Sequence, residues 1–172
     1  MSALISALAA EHGDRQALEI DGKALSYRSI DESAERIAAG MTQLGLAKGD
    51  VAGGLLGNCA ESVLCFFAAA KIGVIWAPLN VGLIGQDLAY AIKDSRPKLL
   101  VVDQENSPKL KASLVASLVN FPLFVTGTGI TEGFRSFSEL ESSPGRAPAI
   151  RLDPGDPAVV IYTGGTTARN AH

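Results

Sequence analysis

Cysteine is nearly absent: the 172-residue sequence has two, Cys59 and Cys65. Their spacing fits neither a CxxC redox pair nor a zinc knuckle. Both fall in a stretch with helical patterning, where cysteine behaves as a small buried hydrophobe. The two histidines, His12 and His172, stand at opposite ends, so no metal-ligating cluster is expected. Charge is sparse as well, at 19% of residues with a net of −3. Lysines and arginines are scattered and form no basic stripe, which argues against nucleic acid as a partner. No basic residues precede the short apolar run of MSALISALAAEHGDR, as a secretory signal requires. Nor is there a long hydrophobic run. The most apolar stretch, 63–79, is broken by Lys71, Gly73 and Pro78, so no transmembrane segment is expected and the expected setting is cytoplasmic.

What is there is apolar. Hydrophobic residues make up 47% of the sequence and the mean hydropathy is +0.22. The length suits one domain or a little more, burying about two-thirds of the surface its unfolded chain exposes. So apolar a domain is expected to hide surface against something, either the remainder of a longer chain or a second copy.

The pattern changes near residue 50, which divides the chain into an N-terminal packing element (1–50) and an α/β subdomain (51–172). In the first part, Asp21-Gly22 between short alternating runs predicts a β-hairpin over 17–27, because both turn positions need positive φ. A helix follows. Ser29 and Glu32 form a capping-box pattern, Ile30, Ala34, Ile37, Met41 and Leu44 recur at helical spacing, and Gly45 supplies a stop. Asp31, Glu32 and Glu35 give its start an acidic face that the helix dipole accounts for.

From Val51 onward, strands alternate with helices. Strands are expected at 51–56, 74–79, 98–102, 122–126 and 158–162. One helix is expected to start at Asn58 and Glu61 and bury Val63, Phe66, Phe67 and Ala70. A second carries Leu88, Ala91 and Ile92, and a third starts at Ser107-Pro108 with Leu110, Leu114 and Leu118 inward. Residues 127–157 read as a surface connection with one short helix near 136–140. Trp76 is assigned to the core, and Asp103, at a strand end, either faces a cleft or caps a turn. Continuous apolar strands separated by helices imply an α/β fold with a mainly parallel sheet covered by helices on both faces. Ligands bind beyond the carboxyl ends of such strands.

Chemistry concentrates at the end of the last strand, where Asp156-Pro-Ala-Val-Val-Ile-Tyr162 runs into Thr163, Gly164, Gly165, Thr166 and Thr167. Glycines allow close approach of a ligand, successive amides can form an anion-binding nest, and threonine hydroxyls add donors. The Walker spacing GxxxxGK[ST] is absent. On these residues alone, a triphosphate cradle and a simple Gly-Thr turn stand equal.

The segment resembles the phosphate-binding signature of the adenylate-forming superfamily, Tyr-Thr-Ser-Gly-Thr-Thr-Gly-x-Pro-Lys-Gly. Tyr162, Thr163, Gly165, Thr166 and Thr167 match it, with Gly164 in the serine position. Further similarity follows in order along nearly the whole chain: Leu25-Ser26-Tyr27-Arg28, Leu44-Gly45-Leu46-Ala47-Lys48-Gly49-Asp50-Val51, Ala69-Ala70-Lys71-Ile72-Gly73-Val74, Ala77-Pro78-Leu79-Asn80 and 88–95. The resemblance implies an acyl-CoA synthetase of the long-chain fatty-acid–CoA ligase type. In that reaction a carboxylic, typically fatty, acid attacks Mg·ATP to give acyl-AMP, and a thiol, usually of coenzyme A, displaces AMP. It implies ATP, Mg2+ and coenzyme A as cofactors, with Thr163–Thr167 around the phosphates, and an incomplete N-terminal domain that is inactive alone. No catalytic residue and no metal ligand is assigned. The sequence departs from the signature after Thr167, where Ala168-Arg169-Asn170-Ala171-His172 puts alanine at the lysine position. The alternative is a non-catalytic nucleotide- or CoA-binding or interaction module derived from that family.

Overall fold

A computed structural model describes residues 2–20, 22–111, 119–129 and 131–162, with the side chains of residues 2 and 3 excepted. Leu114 and Leu118 lie outside the described residues.

Helix α1 (Ser2–His12) opens the chain. Nothing in the sequence reading anticipated it: Leu4, Ile5, Leu8 and Ala9 do recur at helical spacing, but Ala3, Ala7 and Ala10 blur the contrast between faces. Strands β1 (Gln16–Ile20) and β2 (Lys23–Ser26) form the expected antiparallel hairpin, with Ile20 opposite Lys23 and Gly22 at φ 72°. Helix α2 (Tyr27–Gln43) begins earlier than the capping pattern suggested. Its cap is Ser26, whose Oγ accepts the Ser29 amide at 3.1 Å, so Ser29 lies in the first turn. The expected apolar face is buried at Ile30, Ala34, Ile37 and Met41. At its end the Gly45 amide donates to the Thr42 carbonyl and the Leu46 amide to the Met41 carbonyl, a Schellman arrangement that requires the φ of 86° seen at Gly45.

The main sheet is formed by β3 (Val51–Leu55), β4 (Ile75–Pro78), β5 (Leu99–Val102), β6 (Leu123–Val125) and a two-residue β7 (Arg135–Ser136). All pairings are parallel, in the order β4-β3-β5-β6-β7. The intervening helices are α3 (Ala60–Lys71), α4 (Gly85–Ser95) and α5 (Ser107–Lys111), and α6 (Ser138–Glu141) follows β7. Alternate residues of β5 face opposite layers. Leu99 and Val101 join the cluster built with α1, α2 and α3, while Leu100 and Val102 join the cluster built with α4 and Leu110 of α5. The α/β fold with helices on both faces is therefore present, and the first 50 residues share a core with the sheet rather than standing apart.

Two glycines in β3 make the sheet close. A Cβ on Gly53 would lie 2.5 Å from Leu100 Cδ1, and one on Gly54 would lie 2.4 Å from the Trp76 ring, which is 3% exposed. The buried face of α3 matches the expected one only at Ala70. Leu64, Cys65, Ala68 and Ala69 are buried with it, whereas Val63, Phe66 and Phe67 are only half-buried. The reason lies in α2: its Ala34 and Ala38 share a core with the small residues of α3, and that close approach selects the alanine face. Nor does Asn58 cap α3; the N-cap position is Cys59 and has no side-chain capping bond.

The expected strand at 158–162 is reduced to one rung. The Trp76 amide donates to the Ala158 carbonyl at 2.9 Å and the Val160 amide to the Trp76 carbonyl at 3.0 Å, giving a parallel bridge at Val159. In β4 the amides of Ile75 and Leu79 point inward to β3, and that of Trp76 points outward. The next outward donor would be residue 78, which is proline and has no N–H, so the ladder stops.

Candidate functional site

Chain order places a topological switch beside the centre of the sheet. From β3 the chain moves to β4 on one side, then returns past β3 to β5 and β6 on the other. Keeping both crossovers right-handed puts α3 and α4 on opposite faces. The loops leaving the carboxyl ends of the neighbours β3 and β5 therefore diverge, and a crevice is expected between them.

The protein fills that crevice with its own side chains. Asp103, just after β5, accepts the Gly57 amide on Oδ2 at 3.0 Å. Its Oδ1 accepts the Asn106 amide at 2.8 Å and the Asn106 Nδ2 at 2.7 Å. Lys109 Nζ donates to Asn106 Oδ1 at 2.6 Å and also to the Val81 carbonyl. Three loops are stitched together, and Asp103 thus caps a turn rather than facing an open cleft.

Thr163, Gly164, Gly165, Thr166 and Thr167 lie outside the described residues, as does Ala168–His172. The stretch that precedes them meets β4 on the side away from β3. Lys48 Nζ sits 2.6 Å from Asp156 Oδ2 and donates to the Arg151 carbonyl at 3.2 Å. That pairing holds the Asp156 carboxyl below its ordinary range and the Lys48 ammonium above its own. Three residues on, Val159 is bridged to Trp76. Three further on, the Tyr162 hydroxyl donates to Asp94 Oδ2, in the last turn of α4, at 2.8 Å. Burial, followed by the hydrogen bond to Asp94, pushes the Tyr162 phenol up to about 12, so it stays protonated and a donor at physiological pH.

The sequence reading brought Tyr162 to this place but missed Asp94 and Lys48. No local signal links residues 68 apart, and Asp94 reads as an ordinary polar residue near a helix end. Cavities lie elsewhere among the described residues. One of about 450 Å3 is bordered by Gly40, Gln43, Arg135, Glu139 and Ser143. An apolar one of about 260 Å3 is bordered by Leu4, Leu8, Leu18, Tyr27, Val63 and Phe67. Among the described residues no group of His, Cys, Asp and Glu is arranged to hold a metal ion, and no helix is long and apolar enough to cross a membrane.

These features define a parallel sheet covered by helices on both faces, and comparison with known proteins agrees with that fold. The chain belongs to the AMP-binding enzyme family, whose description matches residues 5–170. It is 31% identical over 174 aligned positions to a crotonobetaine/carnitine–CoA ligase of Salmonella agona (strain SL483), covering 94% of this chain and 33% of that protein. Among solved structures it resembles the anthranilate CoA ligase AuaEII in complex with anthranoyl-AMP, with a TM-score of 0.89, 25% identity, and coverage of 97% of this chain and 32% of that one. A protein assigned as a long-chain-fatty-acid CoA ligase from Rhodopseudomonas palustris CGA009 gives a TM-score of 0.87 at 29% identity, covering 95% of this chain and 41% of that one. The chain spans about a third of the length of the curated relatives it matches, and its fold is that of the N-terminal domain of adenylate-forming enzymes.

Proposed function

We propose that this chain is the phosphate-holding N-terminal part of an ATP-dependent acid–thiol ligase. The observation that carries the reading is the placement of Tyr162: within an AMP-binding family chain, it is anchored at the sheet edge immediately before Thr163-Gly164-Gly165-Thr166-Thr167. The donor set suits phosphate oxygens. Two glycines leave the amides unshielded and three threonine hydroxyls add donors, with no bulky side chain between them. In this reading those five residues hold the β- and γ-phosphates of Mg·ATP and act by positioning and charge complementarity rather than as acids or bases. The reaction of the whole protein converts a carboxylic, most simply a fatty, acid and ATP to acyl-AMP and pyrophosphate. The thiol of coenzyme A then forms the thioester and releases AMP.

Residues that grip the acid and the adenine are not assignable to this chain, so the isolated chain is inactive in this reading. Residues 1–50 act as a packing element for the α/β part. Val160 is 39% and Ile161 70% exposed along the β4 edge, which suits docking of further polypeptide, or of a second copy, against it. The setting is cytoplasmic. A second reading, a non-catalytic nucleotide- or CoA-binding module, is favoured by one feature: Ala171 stands where the signature has a lysine.

The test is Mg·ATP affinity measured by calorimetry for the wild type and for the double variant Thr166→Ala/Thr167→Ala. Loss of two hydroxyl donors to charged oxygens is expected to weaken binding by at least about tenfold. Unchanged affinity overturns the assignment of this loop.

A further inference from the structure

We propose that the apolar cavity between α1, the β1–β2 hairpin, α2 and α3 is a binding site for a small uncharged hydrocarbon-like molecule, of the size and kind of an alkylbenzene. The inference is independent of the phosphate-holding reading, because the cavity shares no residue with the glycine–threonine segment or with the stretch that precedes it.

The cavity follows from residue size. Of residues 4–12 in α1, Ile5 and Ala9 alone are buried. Ala17 of β1 borders the space and ends at its Cβ, so it fills little of it. Leu8, Leu18 and Tyr27 line the cavity and stay half-buried, over a floor that includes the fully packed Ile30 of α2. On α3, Val63 and Phe67 stand one turn apart and border the same space. Their helical spacing marks them for burial, yet both are half-buried because they face the cavity. Phe66 meets Phe67 edge-on, with ring centroids 5.2 Å apart, and so steadies the ring that forms this wall.

The lining selects the ligand. No charged side chain borders the cavity, and the Tyr27 hydroxyl is its one polar side-chain group. Water held there lacks the two to four polar partners, about three on average, that a buried water needs. An ionised group would lose its hydration with no opposite charge to offset the loss. An apolar molecule displaces that poorly held water and gains contacts on every side. The volume of about 260 Å3 exceeds the roughly 150 Å3 of an apolar cavity that admits benzene, which leaves space for a short alkyl substituent. A protein partner fits less well. Among the described residues the exposed large hydrophobics are Leu4, Ile84, Tyr90, Val160 and Ile161, and of these Leu4 alone borders the cavity. A stable protein–protein contact covers about 800 Å2 on each partner, far more than one leucine offers.

The experiment uses the full-length protein expressed from its own gene, with ethylbenzene as the probe. Calorimetry reads affinity, methyl NMR reads location, and Tm checks folding. Expected are saturable binding at one site with Kd on the order of 0.1–1 mM, a negative heat-capacity change, and shifts at the methyls of Leu8, Leu18 and Val63. The charged analogue 4-ethylbenzoate is expected to bind at least about tenfold more weakly. Ala17→Leu and Val63→Phe add side-chain volume at the lining and are each expected to weaken ethylbenzene binding at least about tenfold. The proposal is overturned by the absence of saturable binding, or by 4-ethylbenzoate binding as tightly as ethylbenzene. It is equally overturned if either variant, with a Tm within about 3 °C of the wild type, binds ethylbenzene unchanged. If neither variant folds, the wild-type methyl shifts decide: shifts centred on those three residues support the site, and shifts elsewhere refute it.

Discussion

Lys71 Nζ lies 2.8 Å from Asp31 Oδ1, with the lysine side chain only 9% exposed. Glu35 Oε2 is 3.1 Å from the same ammonium, and the Ser6 hydroxyl, which donates to Asp31 at 2.8 Å, completes its shell. One lysine thus joins α1, α2 and α3. Glu35 reaches further and accepts the Ala147 amide at 3.0 Å.

Removing Lys71 leaves two carboxylates facing each other without a cation. A fully buried broken pair costs about 3–5 kcal/mol. Because Asp31 and Glu35 keep 24% and 30% exposure, water can reach them, and the expected loss for Lys71→Ala is about 2–3 kcal/mol. Urea unfolding checks this: the midpoint should fall with little change in slope. A midpoint equal to the wild type would show that the cluster adds nothing to stability.

Gly40 sets propensity against packing. Alanine is favoured over glycine inside a helix by about 1 kcal/mol. A Cβ at Gly40, however, would lie 2.5 Å from Ser143 Oγ and 3.3 Å from Leu140 Cα, so α6 would have to move. Overpacking of this kind costs about 1–3 kcal/mol. Gly40→Ala is therefore expected to lower stability by about 1 kcal/mol, the difference between the two effects. A rise in Tm would mean that the segment after α6 yields freely.

The thiols are expected to be inert. Burial pushes Cys59 up to about 11 and holds Cys65, which is completely buried, well above its ordinary value. The thiolate is the reactive form, so at pH 7.5 well under about 0.1% of Cys59 is available. A disulfide reagent should titrate almost no thiol in the native protein over minutes and both cysteines after denaturation. Rapid native labelling of Cys59 would contradict the packing around the start of α3.

Alkaline pH should destabilise the fold in a defined window. Between pH 9 and 11 the folded protein keeps a proton on Cys59 that the unfolded chain releases near 9.0. Between pH 10 and 12 the same holds for Tyr162. The folded state binds more protons, so stability falls as pH rises. The contribution is fully present below about pH 9 and is lost as pH passes the folded values. Urea midpoints from pH 8 to 11 should decline, with a shallower decline between 9 and 11 in Cys59→Ser. A flat profile in the wild type would show that the thiol is not held protonated by the fold.

Much of this architecture was legible in local chemistry. Asp21-Gly22 called for a hairpin, Gly45 for a helix stop, and LLVV for a strand buried on both faces, and each is present because the cause lies within a few residues of the effect. The capping of α2 was misjudged by one turn because Ser26 and Ser29 are both good caps, and only the geometry of the preceding strand chooses between them. The hairpin and the parallel sheet with helices on both faces were thus determined by sequence alone, through periodicity and turn chemistry.

What only the tertiary structure decided depends on partners distant in the chain. Which face of α3 is buried follows from the alanines of α2. The extent of the last edge strand follows from the one donor that Pro78 lacks. Asp31, Glu32 and Glu35 lie beyond the first turn of α2, which holds no acidic residue, so the helix dipole does not account for them; Asp31 and Glu35 pair with Lys71 instead. The orientation of Tyr162 follows from Asp94, 68 residues earlier. A hydrogen bond or a close contact depends on distances that folding alone brings within a few ångströms, and no local pattern encodes them.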